Sequence, residues 1–367
     1  MTAPAFVVVG TPGDRRVNLF AAALETHGLT GPSVVAWRDL LAGAEIGVPA
    51  GALVRIDSPG EDPEADALLR GPGSPARVGG GAVWHARFVQ ALERIHQAVA
   101  RTPGARLLGD VEEIAVIFDK RRCHARLLAA GVPVPPALPG PVGGYAHLRE
   151  LMAAAGWSRV FVKSAHGSSA SGIVALQIRG TRVHAVTSVE LIRPRPGHVE
   201  LYNTLRVPTY TDEADIAAII DALAPDGLHV ERWFPKASSD GRMFDLRVVV
   251  IGGRPTHAVV RASHRPMTNL HLGGTRGDLQ QVRSRLGTAG WERAMAACAR
   301  AAACFPRSVM VGVDLMVGVT WDRFAVAEVN AFGDLLPGLP GLPGSGAEGL
   351  DSYHAQVAHL LGHRSAA

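Results

Sequence analysis

Residues 309–318, VMVGVDLMVG, and residues 323–332, RFAVAEVNAF, decide how the chain is read. Each is an apolar run of strand length, and a short turn containing Asp322 joins them. Asp314 sits in the middle of the first run. Glu328 and Asn330 sit two apart in the second and so share one face of a strand. Oxygen-bearing side chains inside apolar strands are costly to bury unless they are paired or bound to a cation. These three either pair with arginines or hold a hard cation such as Mg²⁺, which takes few oxygens from protein and the rest from water and phosphate.

Working outward, VFVKSAHGSSASGI (160–173) ends a strand at Lys163 and continues into a loop with Gly167, Ser168, Ser169, Ser171 and Gly172. Small residues let backbone N–H groups approach a phosphate, and the lysine supplies a point charge. The order is not that of a P-loop, because here the lysine precedes the glycines. HVERWFP (229–235) places Glu231 on a strand with Trp233 and Phe234 beyond it, a carboxylate and backbone groups suited to a ribose or an adenine. DLRVVVIGGRPTHAVVRAS (245–263) reads as a hairpin turning at Gly252-Gly253, with Arg247 and Arg261 on its two arms. The loop NLHLGG (269–274) follows, with Asn269 and His271 as further donors beside two guanidinia suited to phosphate or carboxylate.

Composition narrows the field. The chain has 367 residues, 47% hydrophobic and 19% charged, too apolar for disorder. No uncharged apolar stretch approaches the ~20 residues of a spanning helix, and MTAPAFVVVG reads as a first strand rather than a signal peptide. Cys123, Cys298 and Cys304 are scattered and odd in number, which excludes a disulfide framework. A cytoplasmic protein is expected. The net charge of +4 is spread along the chain and aromatics are only 5%, so a nucleic-acid partner is not expected. Of 37 Lys and Arg residues only Lys120, Lys163 and Lys236 are lysine. Under so strong an arginine bias, a retained lysine marks a place where a compact ammonium is useful.

Strands are expected at 5–10, 159–164, 172–179 and 228–234, and helices at 17–28, 82–100, 110–131, 145–155, 212–223 and 291–304, with a last helix ending near Leu361. Residues 60–80 read as an exposed loop and 180–210 as an irregular insertion.

In this order the segments resemble the ATP-grasp superfamily, in the arrangement of RimK-like and glutathione-synthetase-like ligases, from about Lys120 to Pro337. Ser164 stands where the family usually has proline, Glu231 follows Lys163 at a longer interval than usual, and AFGDLLPG replaces the customary proline turn after Asn330. The resemblance implies an α/β (α+β) chain with an ATP-grasp fold. It would comprise an N-terminal pre-ATP-grasp domain at 1–110, a first subdomain at 111–234 and a C-terminal subdomain at 235–367. It implies ATP as cofactor, with Mg²⁺ or Mn²⁺. Lys120, Lys163, Ser168, Ser169, Gly172, Glu231, Trp233, Phe234, Lys236, Asn269 and His271 would surround the nucleotide. Asp314, Glu328 and Asn330 would hold the metal, and Arg247 and Arg261 would be catalytic. The implied reaction phosphorylates a small-molecule or peptide carboxylate, and an amine or thiol then displaces phosphate from the acylphosphate. A kinase on the same scaffold, or a nucleotide-binding partner without turnover, is the alternative. No membrane partner is implied, and a homo-oligomer is left open.

Overall fold

The computed structural model describes residues 4–60, 62–167, 170–332 and 336–362. The first unit runs β1 (Phe6–Gly10), α1 (Arg15–Thr26), β2 (Ser33–Ala36), α2 (Trp37–Leu41), β3 (Leu53–Ile56), α3 (Pro63–Arg70), β4 (Arg77–Val78), α4 (Gly81–Ala100), β5 (Arg106–Leu107) and α5 (Val111–Ile117). β1 is buried along its whole length, as a central parallel strand must be. It lies between β2 and β3 in a parallel sheet of order β2-β1-β3-β5.

Two helix caps correct the reading of the sequence here. Residues 60–80 contain α3, opened by Asp62, whose Oδ1 accepts from the backbone of Glu64 and Ala65, with Pro63 in the first turn. The run 110–131 is two helices, not one. It breaks at Asp119, which accepts from the backbone of Arg121 and Arg122 and starts α6 (Lys120–Ala129). That cap puts Lys120 at the first position of a helix.

The second unit continues with α7 (Tyr145–Ala154), β6 (Arg159–Ser164), β7 (Val174–Arg179), β8 (Arg182–Thr187), β9 (Val189–Ile192), β10 (Glu200–Asn203), β11 (Thr209–Tyr210), α8 (Glu213–Leu223) and β12 (Leu228–Arg232). The segment 180–210 is therefore strand-rich rather than irregular. β8 and β11 extend the sheet β11-β8-β7-β6-β12, while β9 and β10 join β4 in a separate three-stranded sheet. Val160 and Val162 of β6 pack with Leu148, Met152, Ile216, Ile219 and Ile220 of α7 and α8. Strand alternation turns Phe161 and Lys163 to the opposite face.

The last unit holds β13 (Ser238–Ser239), β14 (Arg242–Ile251), β15 (Arg254–Ser263), β16 (Thr275–Gly277), α9 (Leu279–Ala303), β17 (Met310–Val317), β18 (Phe324–Asn330) and α10 (Ser352–Gly362). The expected hairpin is β14–β15. α9 begins a dozen residues earlier than its periodicity suggested, and it changes direction at Gly287, whose φ of 66° is open to glycine. It covers Leu246, Val248, Val313 and Leu315 on one face of the antiparallel sheet β16-β15-β14-β17-β18. The other face carries Asp245, Arg247 and Asp314. A bulge at Ala327 leaves Asp314 directly opposite Glu328 and Leu315 opposite Val326. α10 leaves this unit and packs Tyr353 and Val357 against Phe20 and Leu24 of α1.

Candidate active site

The polar face of the last sheet is held by a buried ladder of ions. Arg261 donates through Nε to Asp245 Oδ1 (2.8 Å) and pairs through Nη2 with Asp314 Oδ2 (3.0 Å). Arg247 reaches the same Asp314 through Nε and through Nη2, the latter at 3.0 Å. Burial pushes the Asp314 carboxyl up, but the two guanidinia outweigh burial and hold it down at about 2. At the other end, Lys236 donates to the Thr268 hydroxyl (3.0 Å), which donates to Asp245. Desolvation lowers the Lys236 ammonium to about 8, with Asp245 opposing.

Facing it, Lys163 Nζ donates to Glu231 Oε2 (2.7 Å), and His229 Nε2 lies 2.8 Å from Glu231 Oε1. Glu231 is fully enclosed. Burial raises its carboxyl, Lys163 and His229 outweigh this, and the result is about 2. The sequence reading gave Glu231 to a ribose or adenine; here its side chain is taken up by Lys163. Lys163 also approaches the carbonyl of Ala327 (3.4 Å), the bulged residue of β18. Lys120, from the first turn of α6, pairs with Glu328 Oε1 at 3.0 Å and donates to the Gly167 carbonyl. Both lysines thus reach across to β18, Lys163 from the end of β6 and Lys120 from α6.

The remaining expected residues divide. Trp233 and Phe234 lie past the end of β12, where residues 233–236 cross from one sheet to the other: Trp233 N–H bonds Arg159 O (3.1 Å) and Ala237 N–H bonds Val317 O (2.7 Å). Gly172 has a φ of 66°, and a Cβ there would lie 2.6 Å from Ser164 Oγ, so the loop closes tightly beside Lys163. Asn269 accepts from His271 N–H (3.0 Å) and caps a short 3-10 turn; His271 is exposed. Neither joins the ion ladder among the described residues. Asn330 Nδ2 lies 3.5 Å from Gly312 O, one strand away from the ladder. Ser168 and Ser169 lie outside the described residues.

Four residues not expected from the sequence lie in or beside this arrangement. Asp245 is two before Arg247 and so shares its face, a spacing open to view. Thr268 and His229 gave no signal. His166, just after Lys163, stacks on His85 of α4 with ring centroids 4.1 Å apart; burial first, then His85, lower it to about 4.

As a place for a divalent cation, the donor set is all oxygen: Asp314 and Glu328 opposite each other, with Asn330 beyond. Asp314 is engaged by two arginines, while Glu328 remains 35% exposed. Among the described residues no cluster of three or more His, Cys, Asp or Glu is formed to hold a metal. Few protein ligands with room for phosphate and water suits Mg²⁺.

No protein-family model matches the chain, and no curated protein matches its sequence. Solved structures do. D-cycloserine synthetase DcsG is similar over 98% of this chain and 99% of its own, with a TM-score of 0.56 at 17% identity. The macrocyclase MdnC from Microcystis aeruginosa MRC, bound with precursor peptide MdnA, covers 98% and 100% with a TM-score of 0.56 at 12% identity. The ATP-grasp ligase PsnB, complexed with a variant of its minimal precursor, Mg and ADP, covers 99% and 100% with a TM-score of 0.51 at 17% identity. The chain has the ATP-grasp fold, along nearly its whole length. Among the described residues no helix is long and apolar enough to cross a membrane.

Proposed function

We propose that this chain is an ATP- and Mg²⁺-dependent ligase that activates a carboxylate as an acylphosphate and passes it to an amine or thiol. The observation that carries the reading is the reach of Lys120 and Lys163 to β18, where they meet Glu328 and the Ala327 carbonyl. Cations from one lobe meet a carboxylate from the other at the place where a polyphosphate with its cation would part them. Glu328 and Asn330, with Asp314, would hold that cation, which when bound supplies neutralisation of the phosphoryl oxygens.

The chain's own groups would then do the rest. Lys120 and Lys163 neutralise phosphate charge as point cations. Arg247 and Arg261, fixed by Asp314 and Asp245, present guanidinia that need no reorganisation as negative charge moves toward the acceptor carboxylate. The end of β12 and the residues just past it, 231–234, offer backbone groups to an adenine, and the loop around Gly172 covers the phosphates and excludes water from the acylphosphate. That DcsG, PsnB and MdnC share this fold supports a ligase acting on amino-acid-like or peptide carboxylates.

The test is phosphate release with panels of amino acids and short peptides, ATP and Mg²⁺, with hydroxylamine as trapping nucleophile. Acid-dependent release of ADP and phosphate, with a hydroxamate formed, is expected. Phosphate left on the substrate would make the protein a kinase instead. No Mg²⁺-dependent rise in melting temperature with ATP or ADP would overturn the nucleotide site itself.

A further inference from the structure

Lys163 and Lys120 are set out by one short stretch of chain, residues 163–167, which begins with the first and is bonded to the second. Lys120 donates its backbone N–H to Ala165 O (2.9 Å) and its ammonium to Gly167 O. His166, between these two carbonyls, meets a different part of the molecule. Its ring stacks on that of His85, from α4 of the N-terminal unit, with centroids 4.1 Å apart and planes 20° from parallel. α4 begins against the same residue: a Cβ on Gly81 would lie 3.6 Å from His166 O. Each ring is fixed by a second contact. His85 Nε2 lies 3.2 Å from Ala115 O, and the Arg121 guanidinium, bound to Asp119, reaches His166 Nε2 at 3.4 Å. A carbonyl only accepts and a guanidinium only donates, so His85 carries its proton on Nε2 while His166 keeps Nε2 bare. Both rings are neutral.

We propose that His85 is a positioning residue of the nucleotide site: through His166 it holds residues 163–167 in the place from which Lys163 and Lys120 meet a polyphosphate. The inference rests on the ligase reading above for the identity of that site. Holding the stretch in advance raises affinity, because the ligand no longer selects it from looser arrangements. The charged groups around the pair are Asp119 before α6, Arg121 and Arg122 on α6, and Asp226, which accepts from Ala82 N–H at the start of α4. A proton added at His166 Nε2 would replace an acceptor by a cation facing Arg121, opposed by the Asp119 carboxylate at 4.0 Å. Burial and then His85 hold His166 at about 4. The neutral stack is therefore complete above the ordinary histidine value of about 6.5 and is lost as pH falls from there toward 4. His85 is likewise lowered, chiefly by burial.

The experiment measures ADP affinity with Mg²⁺ by calorimetry on the full chain, at pH 7.5 and 5.5, in wild type, His85→Ala and His85→Phe. Phenylalanine keeps a flat ring on His166 but cannot titrate. At pH 7.5 His85→Ala should bind ADP about threefold to tenfold more weakly, the worth of one ring pair, and His85→Phe should bind as wild type does. Between pH 7.5 and 5.5 affinity should fall in wild type and less steeply in His85→Phe, because His166 no longer faces a second imidazole. ADP takes up a proton in the same range, equally for all three proteins, so the slopes are compared with one another. Wild-type affinity in His85→Ala, no recovery in His85→Phe, or equal slopes in wild type and His85→Phe would each overturn the proposal. A wild type that binds no ADP would instead overturn the nucleotide site, and the proposal with it.

Discussion

Glu231 and Asp314 are both enclosed carboxylates, yet they depend on different cations and should fail differently. Glu231 is held near 2 in the fold against about 4.3 in an unfolded chain. A depressed carboxyl stabilises the fold above the unfolded value, and that stability is lost as pH falls toward 2. Urea denaturation between pH 5 and 2 should show this decline in wild type and a shallower one in Glu231→Gln. An equal slope in both would assign the acid sensitivity elsewhere. Arg261 joins Asp245 to Asp314, so Arg261→Ala removes the cation that two buried acids share and leaves Asp314 to Arg247 alone; a loss of about 3 kcal/mol is expected, with kcat falling more than ADP affinity. Glu328 is partly exposed, and its pair with Lys120 is worth under about 1 kcal/mol. Glu328→Ala should therefore keep the melting temperature within a few degrees while abolishing ATP turnover, and undiminished turnover would remove Glu328 from the metal. The spacing of Asp314, Glu328 and Asn330 was readable because strand periodicity is local. That Glu231 would be spent on Lys163, 68 residues away, was not, because no sequence pattern encodes which distant cation a carboxylate meets.

At the scale of elements, the cap on α6 is the feature that aims a functional side chain. Asp119 accepts two backbone N–H groups and also binds the Arg121 guanidinium. Asp119→Ala should cost about 1–2 kcal/mol by denaturant titration and should also weaken the ADP-induced rise in melting temperature, because Lys120 loses its fixed helix start. An unchanged ADP response would show that Lys120 finds its place without the cap. The hairpin β14–β15, the strands β6, β17 and β18, and most long helices were legible, since their apolar periods are strong. The short strands β9 to β11 were hidden by charge and proline: β9 and β10 form a separate three-stranded sheet with β4, and among the described residues β11 pairs only with β8, so one face or edge stays wet and the period-2 signal fades. α3 and the α5–α6 break were signalled by Asp-Pro-Glu and by Asp119, but a capping residue inside an apolar run is easily read through.

At the scale of the whole molecule, Arg55 fastens the two ends of the fold. Its side chain is enclosed in β3, bonded to Asp57 at 2.9 Å and to Gln356 of α10, and sandwiched by the rings of Phe20 and Tyr353 at 4.8 and 5.3 Å. Arg55→Ala should destabilise by about 3–5 kcal/mol, since Asp57 would keep its charge without a partner; a loss below about 1 kcal/mol would show that α10 docks by apolar contact alone. The contact between α1 and α10 joins residues as far apart as Thr26 and His354, 328 positions along the chain. Domains usually fold in the order in which the ribosome releases them. Here α1 carries an apolar stripe, Phe20 and Leu24, whose cover by Tyr353 and Val357 is made hundreds of residues later. During synthesis that stripe stays open to chaperones, so a chain stalled before Ser352 should be retained by them rather than mature in steps.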